Sequence, residues 1–135
     1  MRQLLIDTHI LIWIFYAPEK ISTKIKKLLE DEESIVYYST ISLQELSMLY
    51  AKKKFDFRGK SPEDLRLLAI QSNFEELVIT GNLTTSYYQL PEKDNHKDPF
   101  DRLLIWEAIQ RKLTLISSDS KYEQYKVDGL KLLKN

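Results

Sequence analysis

Short apolar runs that end on an acidic or hydroxyl residue alternate with amphipathic helical segments along the whole chain. Gln3 to Ile6 is a buried-strand pattern that stops at Asp7. Ile35 to Ser39, rich in β-branched and aromatic residues, reads as a second strand. Leu77-Val78-Ile79 reads as a third, Leu113 to Ser117 as a fourth and Leu130 to Leu133 as a short fifth. Helical segments fill the intervals. One runs to about Tyr16 and halts near Pro18, and another carries Ile21, Ile25, Leu28 and Leu29 at helical spacing. Ser42-Leu43-Gln44-Glu45 has the form of a capping box that opens a third helix. Ser61-Pro62-Glu63-Asp64 opens a fourth, with Pro62 suited to the first helical position. A short helix is expected over Thr84 to Gln89, and Pro99-Phe100-Asp101 opens the last, to Lys112. The pattern specifies an α/β domain of three layers: a mainly parallel sheet of four to five strands with helices on both faces. Right-handed crossovers then gather the strand C-termini at one edge, where such folds place their sites.

No repeat, linker or low-complexity tract divides the 135 residues, so residues 1–135 are read as one domain. Hydrophobic residues at 43% and charged residues at 30% exclude a disordered chain. The absence of cysteine removes disulfide scaffolds, zinc–thiolate and iron–sulfur sites and thiol nucleophiles together. Ile10 to Tyr16, the longest apolar run, is far shorter than the ~20 residues of a membrane span. Arg2 to Ile6 meets Asp7 at once and lacks a small-residue cleavage site, so the start is not read as a signal peptide. The expectation is a cytoplasmic protein with no membrane partner. Twenty basic and twenty acidic residues cancel, which argues against a dedicated nucleic-acid binder unless some acids are sequestered on metal ions.

Four acids stand at element boundaries on the favoured edge. Asp7 follows the first strand, and Asp119 follows the fourth after Ser117 and Ser118. Glu45 lies in the first turn of the third helix. Asp101 lies in the first turn of the last helix, with Asp98 three residues earlier. Singly, Asp7 and Asp119 read as helix N-caps, Glu45 as the end of a capping box and Asp101 as a response to the helix dipole. Jointly they repel one another and require a compensating positive charge. The basic residues fall on exposed helix faces, and two histidines, His9 and His96, are too few for a zinc site. Oxygen donors of this kind suit Mg²⁺ or Mn²⁺, and such an ion activates water and stabilises a phosphodiester in flight.

These segments resemble the PIN-domain family, in the branch of the VapC-type toxins. Leu5-Ile6-Asp7-Thr8-His9 with Trp13 is similar to its first motif, and Ser42-Leu43-Gln44-Glu45-Leu46 to the second. His96-Lys97-Asp98-Pro99-Phe100-Asp101-Arg102-Leu103-Leu104-Ile105 resembles the third, and Leu115-Ile116-Ser117-Ser118-Asp119 the last. The resemblance covers essentially the whole chain. It implies a Mg²⁺- or Mn²⁺-dependent ribonuclease, the toxin of a VapBC-type pair, with RNA as substrate, a small antitoxin as partner and a homodimeric assembly. The acidic quartet carried over is Asp7, Glu45, Asp101 and Asp119, with Asp98 as an alternate to Asp101. Asp7 and Asp101 would ligate the ion, with Asp119 direct or through water, and Glu45 would hold water or act as general base. Thr8, Arg102, Ser117 and Ser118 would contact substrate phosphate or bound water. His96 would orient the Asp98–Asp101 loop.

Trp106-Glu107-Ala108 and Ser118 depart from what is common in this branch. Trp13, Phe15 and Tyr16 read as core or dimer interface. Lys52-Lys53-Lys54 reads as a solvated helix end. With the quartet set aside, 20 − 4 = 16 acids face 20 bases, an effective +4 available to phosphates. Two rivals share parts of the pattern: a stand-alone PIN-type RNA-processing nuclease and a phosphoacceptor receiver-like domain. The receiver needs an acceptor Asp closing its third strand, where this chain has Val78-Ile79-Thr80-Gly81.

Overall fold

Five strands form one sheet, close to the apolar runs that the sequence marks, in a computed structural model that describes Met1–Asn135. The strands are β1 (Arg2–Ile6), β2 (Ser34–Ser39), β3 (Glu75–Leu77), β4 (Thr114–Ser117) and β5 (Lys131–Lys134). The helices are α1 (Thr8–Tyr16), α2 (Thr23–Glu30), α3 (Thr40–Ala51), α4 (Pro62–Gln71), α5 (Gly81–Ser86) and α6 (Pro99–Arg111). Three 3-10 segments, Pro18–Lys20, Tyr87–Gln89 and Ser120–Asp128, complete the chain. The spatial order is β3-β2-β1-β4-β5, and every pairing is parallel. A phosphoacceptor domain of the flavodoxin-like type would have order 2-1-3-4-5. No helix is long and apolar enough to cross a membrane.

β1 is central because both of its faces are apolar: Leu4, Leu5 and Ile6 are all buried. Leu4 and Ile6 face a layer built on Ile10, Leu11 and Ile12 of α1, Ile25 of α2, Leu46 of α3 and Leu65 of α4. Leu5 faces the opposite layer, with Leu104, Ile105 and Ala108 of α6 and the tyrosines Tyr122 and Tyr125. From β1 the chain runs through α1 and α2 to β2 on one side, while β4 on the other side is reached from β3 through α5 and α6, so a crevice opens where β1 and β4 end side by side. Asp7 N–H donates to the Ile116 carbonyl at 3.1 Å, which fixes the first acid against the end of β4.

Three element boundaries differ from expectation. The capping box at Ser42 and Glu45 does not form. The Ser39 hydroxyl accepts from Ile41 N–H at 3.1 Å and starts α3 three residues earlier, so Ser42 and Glu45 lie inside the helix. Ser61 and Asp64 do form a reciprocal box, with Pro62 at the start of α4. The third strand is Glu75–Leu77 rather than Leu77 to Ile79. Ile79 N–H bonds the Thr40 hydroxyl at 3.0 Å instead of a neighbouring strand, and Thr80 caps α5. That same cap starts the short helix at Gly81, three residues before Thr84.

Candidate active site

Asp7, Asp101 and Asp119 open on one cleft of about 270 Å³ at the C-terminal edge of the sheet, walled by His9, Trp13, Ser118 and Tyr122. Each acid reaches it by a different local device. Asp7 is the N-cap of α1, and its Oδ1 accepts from Ile10 N–H at 2.9 Å. Asp119 caps the following 3-10 turn through Lys121 N–H at 2.9 Å. Both cap readings of the sequence therefore hold, and each cap uses one carboxylate oxygen. Asp98 is the cap of α6 and accepts from Asp101 N–H at 3.0 Å. It stands exposed at the rim, while Asp101, one turn on, faces the cleft.

Glu45 is buried in α3 and lies next to Thr8, close enough to Asp101 and Asp98 for their charges to act on it. The Thr8 hydroxyl donates to Ser42 Oγ at 2.9 Å, which fastens α1 to α3 below the cleft. The Ser117 hydroxyl accepts from Asp119 N–H at 3.1 Å and lies against Asp7. Ser117 thus holds Asp119 in place, and Thr8 braces the helix that carries Glu45. Ser118 lines the cleft and accepts from Asn135 Nδ2 at 2.8 Å, which leaves its own proton free to donate.

The electrostatics show what the arrangement lacks. Burial pushes the Asp7 carboxyl up to about 6, against opposing hydrogen bonds from Ser117 and Ile10. Burial also raises Glu45 and Asp101, and repulsion from neighbouring acids adds to both. No lysine or arginine forms an ion pair with any of the four; His9 acts on Asp7 and Glu45, the Tyr122 hydroxyl bonds Asp101, and His96 Nε2 lies 3.5 Å from Asp101 Oδ2. Side chains of His96, Asp101 and Asp119 offer ligand atoms within 4.8 Å of one another; Asp7 and Glu45 border this group. A hard, oxygen-ligated divalent cation fits these carboxylates, three of which, Asp7, Glu45 and Asp101, are held above their ordinary pKa with no lysine or arginine partner.

Raised carboxyls have a thermodynamic signature in the metal-free chain. Between pH 4 and 6 the folded state binds protons at Asp7 that the unfolded state has released, so stability falls as pH rises through that window. Glu45 and Asp101 act in the same direction. In EDTA the melting temperature is expected to rise on acidification from pH 7.5 to 5; a fall would contradict the burial of these charges.

Arg102 departs from its expected role. It is buried, and its guanidinium donates to the Tyr87 and Tyr125 hydroxyls and to the carbonyls of Leu90 and Pro91. These bonds turn it away from solvent, so it braces the loop before α6 instead of offering a contact to RNA. Trp13 is not simple core: it borders the cleft, tilted against the His9 ring at a centroid distance of 5.9 Å, with Lys20 Nζ 5.3 Å from its ring centroid. Tyr122 escapes a sequence reading. It is 1% exposed, and burial together with the charges of Asp7 and Asp101 holds its hydroxyl well above the usual value. Only its place three residues beyond Asp119, one helical turn, hints that it returns to the cleft.

Against models of protein families, residues 4–129 match the PIN domain. No curated protein matches. Among solved structures, a chain of VapBC2 from Rickettsia felis, bound to a DNA fragment from their promoter, superposes with TM-score 0.70 at 21% identity, over 98% of both chains. A chain of DNA-bound VapBC from Salmonella typhimurium gives 0.66 at 19% identity, over 99% of this chain and 98% of that one. A chain of FitAcB from Neisseria gonorrhoeae gives 0.62 at 21%, over 97% and 96%.

Proposed function

The chain belongs to the PIN domain family, and from that premise we propose that it is a Mg²⁺- or Mn²⁺-dependent ribonuclease, the toxin of a VapBC-type toxin–antitoxin pair. The observation that carries the chemistry is the cleft itself: Asp7, Asp101 and Asp119 with a neighbouring Glu45, none of them paired with a lysine or arginine, and Asp7, Asp101 and Glu45 raised in pKa. Asp7, Asp101 and Asp119 would hold the cation. When bound, such an ion brings water closer to ionisation at neutral pH and offsets charge on a phosphodiester under attack.

The remaining steps belong to the chain. Glu45, raised by burial and steadied by Thr8, accepts the proton of the attacking water. Ser118 donates its hydroxyl to a phosphate oxygen. Thr8 and Ser117 keep Glu45, Asp7 and Asp119 from turning away, the role that outer hydrogen bonds play around a metal. Water is the nucleophile, so one phosphorus–oxygen ester bond breaks without the 2′-hydroxyl taking part, and the departing oxygen takes a proton from solvent. Incubation with end-labelled single-stranded RNA and Mn²⁺ is expected to give cleavage that EDTA abolishes, with no 2′,3′-cyclic phosphate. Cleavage that persists in EDTA, or cyclic products, would refute the hydrolytic mechanism.

Similarity to chains from VapBC and FitAcB structures supports the toxin reading. A cognate antitoxin, a homodimer and a cytoplasmic location accompany it. A short DNA-binding antitoxin encoded beside this gene, co-purifying with the chain, is the expected finding; its absence would favour a stand-alone RNA-processing nuclease.

A further inference from the structure

A buried polar chain runs from Arg102 to the cleft, and its direction can be read from donor chemistry. Arginine only donates. Its Nη1 gives a hydrogen bond to the Tyr125 hydroxyl at 2.8 Å, while Nε binds Tyr87 and the other donors bind Pro91 and Leu90 carbonyls. The Tyr125 oxygen is therefore an acceptor towards Arg102 and has its own proton to give. The partner at 2.8 Å is His96 Nδ1. A proton donated there makes Nδ1 the acceptor and places the ring proton of the neutral imidazole on Nε2. That nitrogen is buried and has no hydrogen-bond partner; the acidic oxygen in ion-pair range is Asp101 Oδ2, 3.5 Å away.

The ring is held rigidly in this pose. Tyr122 and Tyr125 pack against it with centroids 5.5 and 5.4 Å away. Its backbone closes a tight turn on Lys93 through His96 N–H to the Lys93 carbonyl. Lys93 in turn lies over the Tyr125 ring and pairs with Asp128 at 3.0 Å. In this pose the carboxylate oxygen in ion-pair range of Nε2 is Asp101 Oδ2.

We infer that His96 is a positioning residue: through Arg102 and Tyr125 it presents an Nε2–H donor that aims the Asp101 carboxylate at the cation. This rests on the metal-binding reading of the cleft. The opposite role, His96 as a nitrogen ligand beside Asp101 and Asp119, needs the other tautomer and a Tyr125 oxygen that accepts from both Arg102 and the imidazole.

Calorimetry with Mn²⁺, and with Mg²⁺ by competition, separates these roles without recourse to activity. His96→Leu is expected to weaken both ions by about ten- to a hundredfold and by the same factor, the usual consequence of losing a hydrogen bond behind a metal ligand. His96→Gln, whose amide N–H reaches the position of Nε2, is expected to recover affinity to within a few-fold. Tyr125→Phe keeps the ring packing, and is expected to fall between the two. If the leucine variant does not fold, wild-type-like affinity in the glutamine variant and weakened affinity in Tyr125→Phe carry the result.

Unchanged affinity in His96→Leu overturns the proposal. So does a loss confined to Mn²⁺, since imidazole favours transition metals over Mg²⁺, and so does a glutamine variant no better than leucine. A wild-type chain that binds neither ion overturns the metal-binding function itself, and this inference with it.

Discussion

Asp7→Asn is expected to lower metal-dependent RNA cleavage by at least about a hundredfold while the chain remains folded. The substitution removes a proposed cation ligand and nothing else that the fold needs. Asn is as good an N-cap as Asp, so the bond from Ile10 N–H survives. It also removes a carboxylate that burial disfavours. A carboxyl raised from 3.8 to about 6 corresponds to a destabilisation on the order of 2–3 kcal/mol at neutral pH. In EDTA at pH 7.5 the variant should therefore melt at the same temperature as wild type or higher, and its melting should depend less on pH between 5 and 7.5. Mn²⁺ should raise the melting point of wild type and leave the variant unmoved. Undiminished cleavage would remove Asp7 from the site. A large loss of stability would show that its charge is compensated in the fold.

Arg102→Met is expected to cost on the order of 3–5 kcal/mol, because it leaves several buried acceptors unpaired at about 1–3 kcal/mol each. It would strand two tyrosine hydroxyls and the Leu90 and Pro91 carbonyls and expose the loop that leads into α6. In a domain of this size the melting temperature should fall by roughly 10–20 °C. Arg102→Lys should rescue little, because one ammonium cannot span four acceptors arranged around a planar fork. Thermal denaturation of the two variants checks this. A variant with unchanged stability and a raised KM for RNA would instead restore Arg102 to the substrate surface.

The sheet and the edge that carries the acids are legible in the sequence because they follow from local pattern. Leu4-Leu5-Ile6 is apolar on both faces, so it must be central, and an acid directly after such a strand must sit at its end. What is not legible depends on gathering distant residues. Arg102 follows Asp101 and reads as surface, since arginine is seldom buried. Only the return of Tyr87 and Tyr125 to its side, with the Leu90–Pro91 turn, makes burial affordable. Tyr122 reaches the cleft because the chain past Asp119 coils into a 3-10 segment, for which its sequence carries no periodic signal.

The start of α3 was ambiguous for a different reason. Ser39, Thr40 and Ser42 are all capping residues, and the choice falls to Ser39 because it stands where β2 leaves the sheet in extended conformation. At the third strand, Leu77-Val78-Ile79 is more apolar than Glu75-Glu76-Leu77, yet the latter forms the ladder. It is an edge strand, where charge is tolerated, and Glu76 is held by Arg66 at 2.6 Å and by the buried Tyr38 hydroxyl at 3.0 Å. The same distinction governs the site: the individual acids are visible as caps and first-turn residues, whereas their shared lack of cationic partners is visible only in three dimensions.

Anomalous diffraction from crystals soaked in Mn²⁺ addresses the central claim most directly. A peak is expected in the cleft, bounded by the carboxylates of Asp7, Asp101 and Asp119, with Glu45 facing it and His96 Nε2 directed at Asp101 and not at the ion. An empty cleft at saturating Mn²⁺, with the acids neutralised by lysine or arginine side chains, would contradict it.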